Sequence, residues 1–468
     1  MTARPGFPAH AGALLLLAAC AHYTPAPLHP AELADAFAAR RLNEPGLVRY
    51  LGEHGSSAPS AAWRPADLAL AALYWQPALD RARAEWRAAR AGEITAGARP
   101  EPALESQLGY ATSSDVFESR WVAALTTVFT LELGGKRGAR VAAARARTAL
   151  AEVELDDTAW RTARAVRDAA VALGAAEQRA RDAAEQQQRV GKFAARLRHR
   201  YEEGAVGRGE LVAIEAEETG ARTALAREAR AVAGARAALG RTVGVPPDAM
   251  DSIGVEPDPP ARCAVHAAAP DSVRAVALRR RTDIGRGLAE YAVAEGELRM
   301  AVAGASPDLT LGPGFNWDQG IGIWTLALAL PRLPFHRNRG PIAEATARRA
   351  AAAARFSELQ QGVIADVGAA LAACRVARSE TAGTDSVLAA TRRRAEVARA
   401  AYERGEVGAG DLEPLELAES RAILEQHAAA QREATAALAL DAATGAWPPG
   451  NVTWPDPTVS PTVNEAAR

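Results

Sequence analysis

YEEGAVGRGELVAIE, residues 201–215, recurs as YERGEVGAGDLEPLE, residues 402–416. The shared pattern is Y-E-x-G-x-V-G-x-G-[E/D]-L-x-x-[I/L]-E, with ten of fifteen positions identical or conservatively exchanged and no gap. Similarity at a fixed period dictates architecture, and this period, about 200 residues, is far beyond a solenoid unit. The chain therefore reads as two duplicated halves. Gly204, Gly207 and Gly209 in the first copy, and Gly405, Gly408 and Gly410 in the second, interrupt runs rich in Ala, Arg, Glu and Leu. Those runs favour helix, and a cluster of glycines ends one. Each copy is thus predicted to be the tip of a helical hairpin. Gly209 and Asp411 are the expected N-caps of the returning helices, with Glu413 behind Asp411 in the first turn. An ordinary turn accounts for one copy. It accounts poorly for two tips that keep the same V-G-x-G-[E/D]-L chemistry.

Working outward, residues 139–200 form a proline-free helical stretch of about 60 residues, on the order of 90 Å at the helical rise. A helix of that length implies coiled-coil packing, and its many alanines allow close approach. A return helix is expected over 211–239, closing a first hairpin at 139–240. The second half repeats the scheme with a long helix over 342–404 and a hairpin spanning 341–444. Residues 67–97 read as one helix stopped by Pro100 and Pro102, and 271–304 as another. Between the halves, 244–270 is a Pro-rich linker (GVPPD, EPDPPA), 20–65 is an irregular lead segment, and 447–468 is a Pro-rich tail.

Each half also carries two alternating stretches ahead of its long helix. In 104–111, Leu104, Ser106, Leu108 and Tyr110 share one face. In 121–133, Trp121, Ala123, Leu125, Thr127, Phe129, Leu131 and Leu133 share a mostly apolar face, with Val122, Thr126, Thr130 and Glu132 opposite. In 308–317, Leu309, Leu311, Phe315 and Trp317 alternate with Thr310, Gly312, Gly314 and Asn316. Trp324, Leu326, Leu328 and Leu330 then fall together in 323–330. Period two at this length suits a tilted membrane strand. Repeat one therefore covers 66–243, with strands within 104–133, and repeat two covers 271–446, with strands within 308–330. Four strands cannot close a barrel, and an open edge in lipid is forbidden. Closure needs several copies, and three would supply twelve strands.

The N-terminus has Arg4 followed by a short apolar core over 11–19, too short to span a bilayer, so 1–19 reads as a signal peptide. It ends in Leu17-Ala18-Ala19-Cys20, which resembles a bacterial lipobox whose cysteine is lipidated. Ala21 in place of an aspartate points the resemblance to the outer membrane.

The chain is 49% hydrophobic and 24% charged with a net charge of −1, which suggests no nucleic-acid partner. Three cysteines, Cys20, Cys263 and Cys374, rule out a disulfide framework and leave open whether Cys263 and Cys374 pair. The eight histidines are scattered, with no His-x-x-x-His or Cys-x-x-Cys spacing, so no metal site, no catalytic motif and no cofactor is expected. No run of 18 apolar residues exists. If the chain spans a membrane, it does so with strands.

The sequence resembles the TolC family of outer-membrane efflux proteins over nearly its whole length. The resemblance is carried by the duplicated tips, by LALAALYWQPALDRARAEWRAARAGEITAGARPEPAL leading into a strand, and by PDLTLGPGFN followed by LPFHRNRGPIAEATARRAAAAAR. A departure is PRLPFHRNRG, longer than the first-half GGKRG and proline-bearing. The lipobox is similar to that of the branch working with resistance-nodulation-division (RND) pumps. The resemblance implies a mainly α fold with a small β part: a homotrimer with a short β-barrel, four strands per protomer, in outer-membrane lipid, and a long α-helical coiled-coil barrel in the periplasm. It implies a periplasmic adaptor and an inner-membrane RND-type pump as partners. The docking tips would be Gly204, Val206, Gly207, Gly209 and Leu211 with Gly405, Val407, Gly408, Gly410 and Leu412. In the family the periplasmic aperture is lined by acidic residues near the second tip. Asp411 falls on one such position, the next is Pro414, and Glu413 and Glu416 lie close by. A reading from another class, a periplasmic coiled-coil lipoprotein that scaffolds an envelope complex, shares the lipobox and the helices but has no use for the alternating strands.

Overall fold

The computed structural model describes residues 23–56, 62–112, 119–256, 263, 270–330, 337–446, 456 and 458. The chain divides into two units, Met1–Arg40 and Arg41–Arg468. The first contributes one described helix, α1 (Pro30–Ala39), with no buried residue. Cys20 and the signal stretch lie outside the described residues, as do 113–118, 331–336 and most of 447–468.

The second unit opens with α2 (Pro45–Glu53), β1 (Ala62–Trp63), α3 (Pro65–Trp75) and α4 (Pro77–Gly97). The first strand pair, β2 (Ala103–Tyr110) and β3 (Trp121–Leu131), leads to the hairpin α5 (Lys136–Glu202) and α6 (Arg208–Val243). After α7 (Pro247–Asp251) and β4 (Gly254–Val255) the order repeats: α8 (Pro270–Arg280), α9 (Thr282–Ala303), β5 (Leu309–Asp318), β6 (Ile321–Ala329), α10 (Arg339–Glu403) and α11 (Ala409–Ala443). Helices α5 and α10 run for 67 and 65 residues. The mainly helical fold with a small sheet part and a doubled hairpin is therefore as the sequence predicts.

Three expectations need correction. The lead segment is not irregular: α1 and α2 form there, each opening on a proline (Pro30, Pro45) at the first helical position, where the missing N–H has no partner to lose. The helix expected over 67–97 is two, because Pro77 pushes Gln76 into extended backbone (φ −70°, ψ 117°). The Gln76 side chain then donates to the carbonyls of Arg241 at 2.9 Å and Thr242 at 2.6 Å, at the end of α6. The helix expected over 271–304 also breaks, at Arg281 (φ −66°, ψ 128°), with neither glycine nor proline at the break. There the Arg281 guanidinium grips Asp283 at 2.7 and 3.0 Å and reaches Asp366 of α10 at 3.2 Å.

The largest core lies where α2, α3, α7 and β1 pack on the middle of α5 and the end of α6. Leu47, Leu51, Leu68, Leu70, Val166, Leu173, Leu239 and Met250 are its large, fully buried members. Helix α3 is buried on nearly every side, as its all-round apolar sequence requires. Its one carboxylate, Asp67, is buried but satisfied, by the Ser56 hydroxyl at 2.5 Å and by Arg64 at 2.7 and 2.8 Å. Helix α4 runs along α5, and α9 is shared between α5 and α10. Gly296 of α9 lies so close to α5 that a Cβ there would sit 3.1 Å from the Ala143 Cα.

Both strand pairs hand over to their long helices through a left-handed pair of residues. In the first half these are Gly134 (φ 70°) and Gly135 (φ 72°); in the second they are Arg337 (φ 42°) and Asn338 (φ 53°). Asn338 tolerates that region and donates through its side chain to the Ala301 carbonyl at 2.7 Å. The longer second connection thus reaches the same backbone geometry without glycine.

Candidate functional site

The four long strands form one antiparallel sheet in the order β2-β3-β5-β6, which leaves β2 and β6 as edges within the chain. Directly paired residues share a face. The pairs Tyr110–Trp121, Leu108–Ala123, Trp317–Ala123, Phe315–Leu125, Phe315–Trp324, Pro313–Leu326 and Leu311–Leu328 all belong to one face. The other is mixed: it carries Glu105–Thr126, Gln107–Ala124, Asn316–Ala124 and Gly314–Thr325, with Val122, Ile321 and Ile323 beside Asp318 and Asn316 at one end. The first face is apolar and exposed to solvent, with Trp324 82%, Leu108 72%, Leu326 65% and Leu328 65% exposed. Its Tyr and Trp residues gather towards one end of the sheet, where Tyr110 meets Trp121 (centroids 5.2 Å apart) and Phe315 meets Trp324 (5.1 Å), while Phe129 lies at the other. An apolar band edged by Tyr and Trp is what a lipid interface selects. Pro313 sits in a central strand without an N–H, and the β3–β5 pairing skips the positions beside it.

At the far end of each hairpin the two tips share one hydrogen-bond pattern. Ala205 donates to the Arg200 carbonyl at 2.8 Å and Glu406 to the Ala401 carbonyl at 2.9 Å, each closing a Schellman-type turn over a positive-φ glycine, Gly204 (φ 75°) or Gly405 (φ 74°). The N-caps are Gly207 and Gly408, two or three residues before the expected Gly209 and Asp411. Gly209 and Gly410 instead lie inside the first turns of α6 and α11. Asp411 occupies the third helical position, from which its carboxylate reaches back to accept the Gly408 N–H at 3.2 Å, the acidic half of a capping box. Val206 and Leu211 are partly buried, packed on Val190, Ala194, Leu197 and Ile214 under the first tip. Leu412 is buried and Val407 half-buried.

The acidic candidates separate. Asp411 is exposed. Glu413 is buried and forms an ion pair with Arg196 of the other hairpin. Glu416 is half-exposed and accepts from Arg399 Nε at 3.2 Å. Of these three, Asp411 alone presents an exposed carboxylate with no arginine on it among the described residues.

The duplication extends to contacts that sequence reading missed. Arg198 bridges Glu215 at 3.3 Å and Glu218 at 2.6 Å across the first hairpin, while Arg399 bridges Glu416 at 3.2 Å and Glu419 at 3.3 Å across the second. The signal was present: an arginine three residues before each tip tyrosine, and matching glutamates on each return helix. The hydrogen bond from Arg198, with one from Arg222 beside it, holds the Glu218 carboxyl below its ordinary range. A carboxyl depressed in the folded state stabilises above its unfolded pKa, and that contribution is lost as pH falls through the folded value. Glu218→Gln is therefore expected to lower the melting temperature slightly at neutral pH. The difference from wild type should vanish in acid below the ordinary carboxylate range, as read from paired thermal melts. A gap that persists there would assign the loss to packing rather than charge.

Cys263 and Cys374, left open by the sequence, form a disulfide. Among the described residues no group of His, Cys, Asp and Glu could hold a metal ion, and no helix is long and apolar enough to cross a membrane.

No protein-family model and no curated protein matches the sequence. Solved structures do match the fold. The outer membrane protein VceC from Vibrio cholerae aligns with a TM-score of 0.65 at 20% identity, over 81% of this chain and 95% of that one. The open state of the MtrE outer membrane channel of Neisseria gonorrhoeae aligns with a TM-score of 0.63 at 20% identity, over 82% and 89%. The CmeC outer membrane channel of Campylobacter jejuni aligns with a TM-score of 0.63 at 14% identity, over 86% of each chain. The fold is that of these TolC-like outer-membrane channels.

Proposed function

We propose that this protein is the outer-membrane channel of a tripartite efflux system, passively conducting solutes delivered by an inner-membrane RND-type pump and a periplasmic adaptor. The observation that carries the reading is the sheet: an exposed apolar face edged by Tyr and Trp, an opposite face that bears Glu105, Gln107, Thr126 and Asn316, and two edges left open within the chain, mounted on two hairpins whose long helices run for 67 and 65 residues. Joining β2 of one copy to β6 of the next would satisfy both edges, and three copies of a four-stranded sheet make a twelve-stranded barrel. The mixed face with Glu105, Gln107, Thr126 and Asn316 then lines the bore and the Trp-bearing face meets lipid. A coiled-coil scaffold would gain nothing from such a sheet. In this reading Cys20 carries the lipid anchor, and the hairpins extend into the periplasm with their tips toward the adaptor.

Reconstituted protein is expected to migrate as a heat-modifiable trimer and to conduct ions across a planar bilayer. Protein that folds and trimerises but never conducts would return the scaffold reading. Asp411 is proposed to ring the periplasmic aperture, where three copies would favour cations. Asp411→Asn should weaken cation selectivity. Selectivity equal to wild type would leave Asp411 with only its capping-box bond to the Gly408 N–H.

A further inference from the structure

The Cys263–Cys374 bond joins residues 111 apart in sequence, with Cα atoms 5.5 Å apart. The loop it closes contains α8, α9, both strands of the second pair and the first half of α10. Both residues are buried, Cys374 completely. Ala377 of α10 and Ala436 and Ala437 of α11 pack around them. Glu433 of α11, also buried, accepts the Cys263 N–H at 3.2 Å. One covalent bond and one hydrogen bond thus tie a residue of the inter-repeat linker to both helices of the second hairpin, and the same amide gives the buried Glu433 carboxylate a hydrogen-bond donor.

Disulfides form by attack of a thiolate on a disulfide sulfur, so both sulfurs must be reachable. In the folded chain neither is. The bond must form before α10 and α11 close over it.

We propose that this chain is a substrate of a thiol–disulfide exchange reaction that acts on Cys263 and Cys374 after export and before the second hairpin packs, and that the resulting bond fixes the linker to that hairpin. The oxidant is a carrier protein with a reactive disulfide. One chain thiolate attacks it, giving a mixed disulfide and releasing one carrier thiolate. The second chain thiolate then displaces the other carrier sulfur. The chain gives up two electrons and two protons, and the carrier leaves as a dithiol. Export to an oxidising compartment rests on the outer-membrane reading above. The cysteine arithmetic agrees with it: with Cys20 held as a lipid-bearing thioether, only two thiols remain, and they can pair only with each other.

The test is mass-tagging of thiols with a polyethylene-glycol maleimide on the full chain. Wild type denatured without reductant should gain no tag, and two tags after reduction in denaturant. Mild reductant applied to the folded protein should expose none. Cells lacking dithiol-oxidising carrier activity should yield chain that takes two tags without reduction, and several-fold fewer heat-modifiable trimers. The Cys263→Ser/Cys374→Ser double variant should show the same trimer loss in normal cells. Palmitate labelling should disappear in Cys20→Ser while the tagging pattern stays unchanged. Two tags on unreduced wild type, ready reduction in the folded state, full oxidation without the carrier, or wild-type trimer yield from the double serine variant would each overturn the proposal. Correct tagging in a chain that does not conduct would overturn the channel reading instead.

Discussion

Arginine in place of Leu326 is expected to keep the protein out of the outer membrane, whereas arginine in place of Thr325, one residue earlier on the same strand, is expected to leave assembly intact. Leu326 lies mid-strand, is 65% exposed, and faces the same side as Trp324 and Leu328. An arginine on the lipid face near the bilayer midplane costs about 2–4 kcal/mol, and three-fold assembly would triple that to about 6–12 kcal/mol. Thr325 pairs with Gly314 on the opposite face, where the proposed bore is wet and a long cationic side chain can extend into water. The measurement is the amount of heat-modifiable trimer in isolated outer membranes for each variant. Equal insertion of both, or the reverse order, would mean that the sheet has no lipid face or that the faces are assigned the wrong way round.

The contrast between neighbouring residues is sharp because a strand's side-chain period is two, which is also why the sheet was legible in the sequence. Trp121, Leu125 and Phe129 alternate with Thr126 and Thr130, and the observed pairing keeps them on opposite faces. The long helices were legible from composition and from the absence of proline. What escaped depends on partners distant in sequence. The break at Arg281 has neither glycine nor proline to announce it; beside its near neighbour Asp283, the Arg281 guanidinium is held by Asp366 on another helix, 85 residues away. Glu413 sits two residues from Asp411, but its environment is set by Arg196 from the other hairpin. The disulfide needed to be seen in space, since nothing in the sequence says that a Pro-rich linker returns to the middle of α10. The N-caps were missed for a smaller reason: each tip offers two residues fit for that position within a few places of each other, Gly207 and Gly209 in the first and Gly408 and Asp411 in the second.

The largest effect expected at the tips comes from the glycines that the turn does not need. Gly204 and Gly405 have positive φ, so turn geometry accounts for them. Gly209 and Gly410 do not: both lie in the first turn of a helix. A Cβ on Gly209 would meet nothing within 4 Å, and one on Gly410 would approach only Arg200 Nη1, at an ordinary 3.5 Å. Alanine at such a site should stabilise the helix by about 0.5–1 kcal/mol relative to glycine. That both tips nevertheless carry glycine there points to a partner that approaches the backbone closely. The Gly209→Ala/Gly410→Ala variant is therefore expected to melt at or above the wild-type temperature. Gly209→Trp/Gly410→Trp should still trimerise, reach the outer membrane and conduct in bilayers, while adaptor cross-linking and export fall by about tenfold or more, equivalent to at least about 1.4 kcal/mol of docking free energy. This pair is a cleaner probe than Val206→Asp, because Val206 packs on Leu197 and Ile214 and a charge there would damage the tip itself. Wild-type export from the double tryptophan variant would place docking elsewhere on the molecule and leave these two glycines explained neither by the turn nor by recognition.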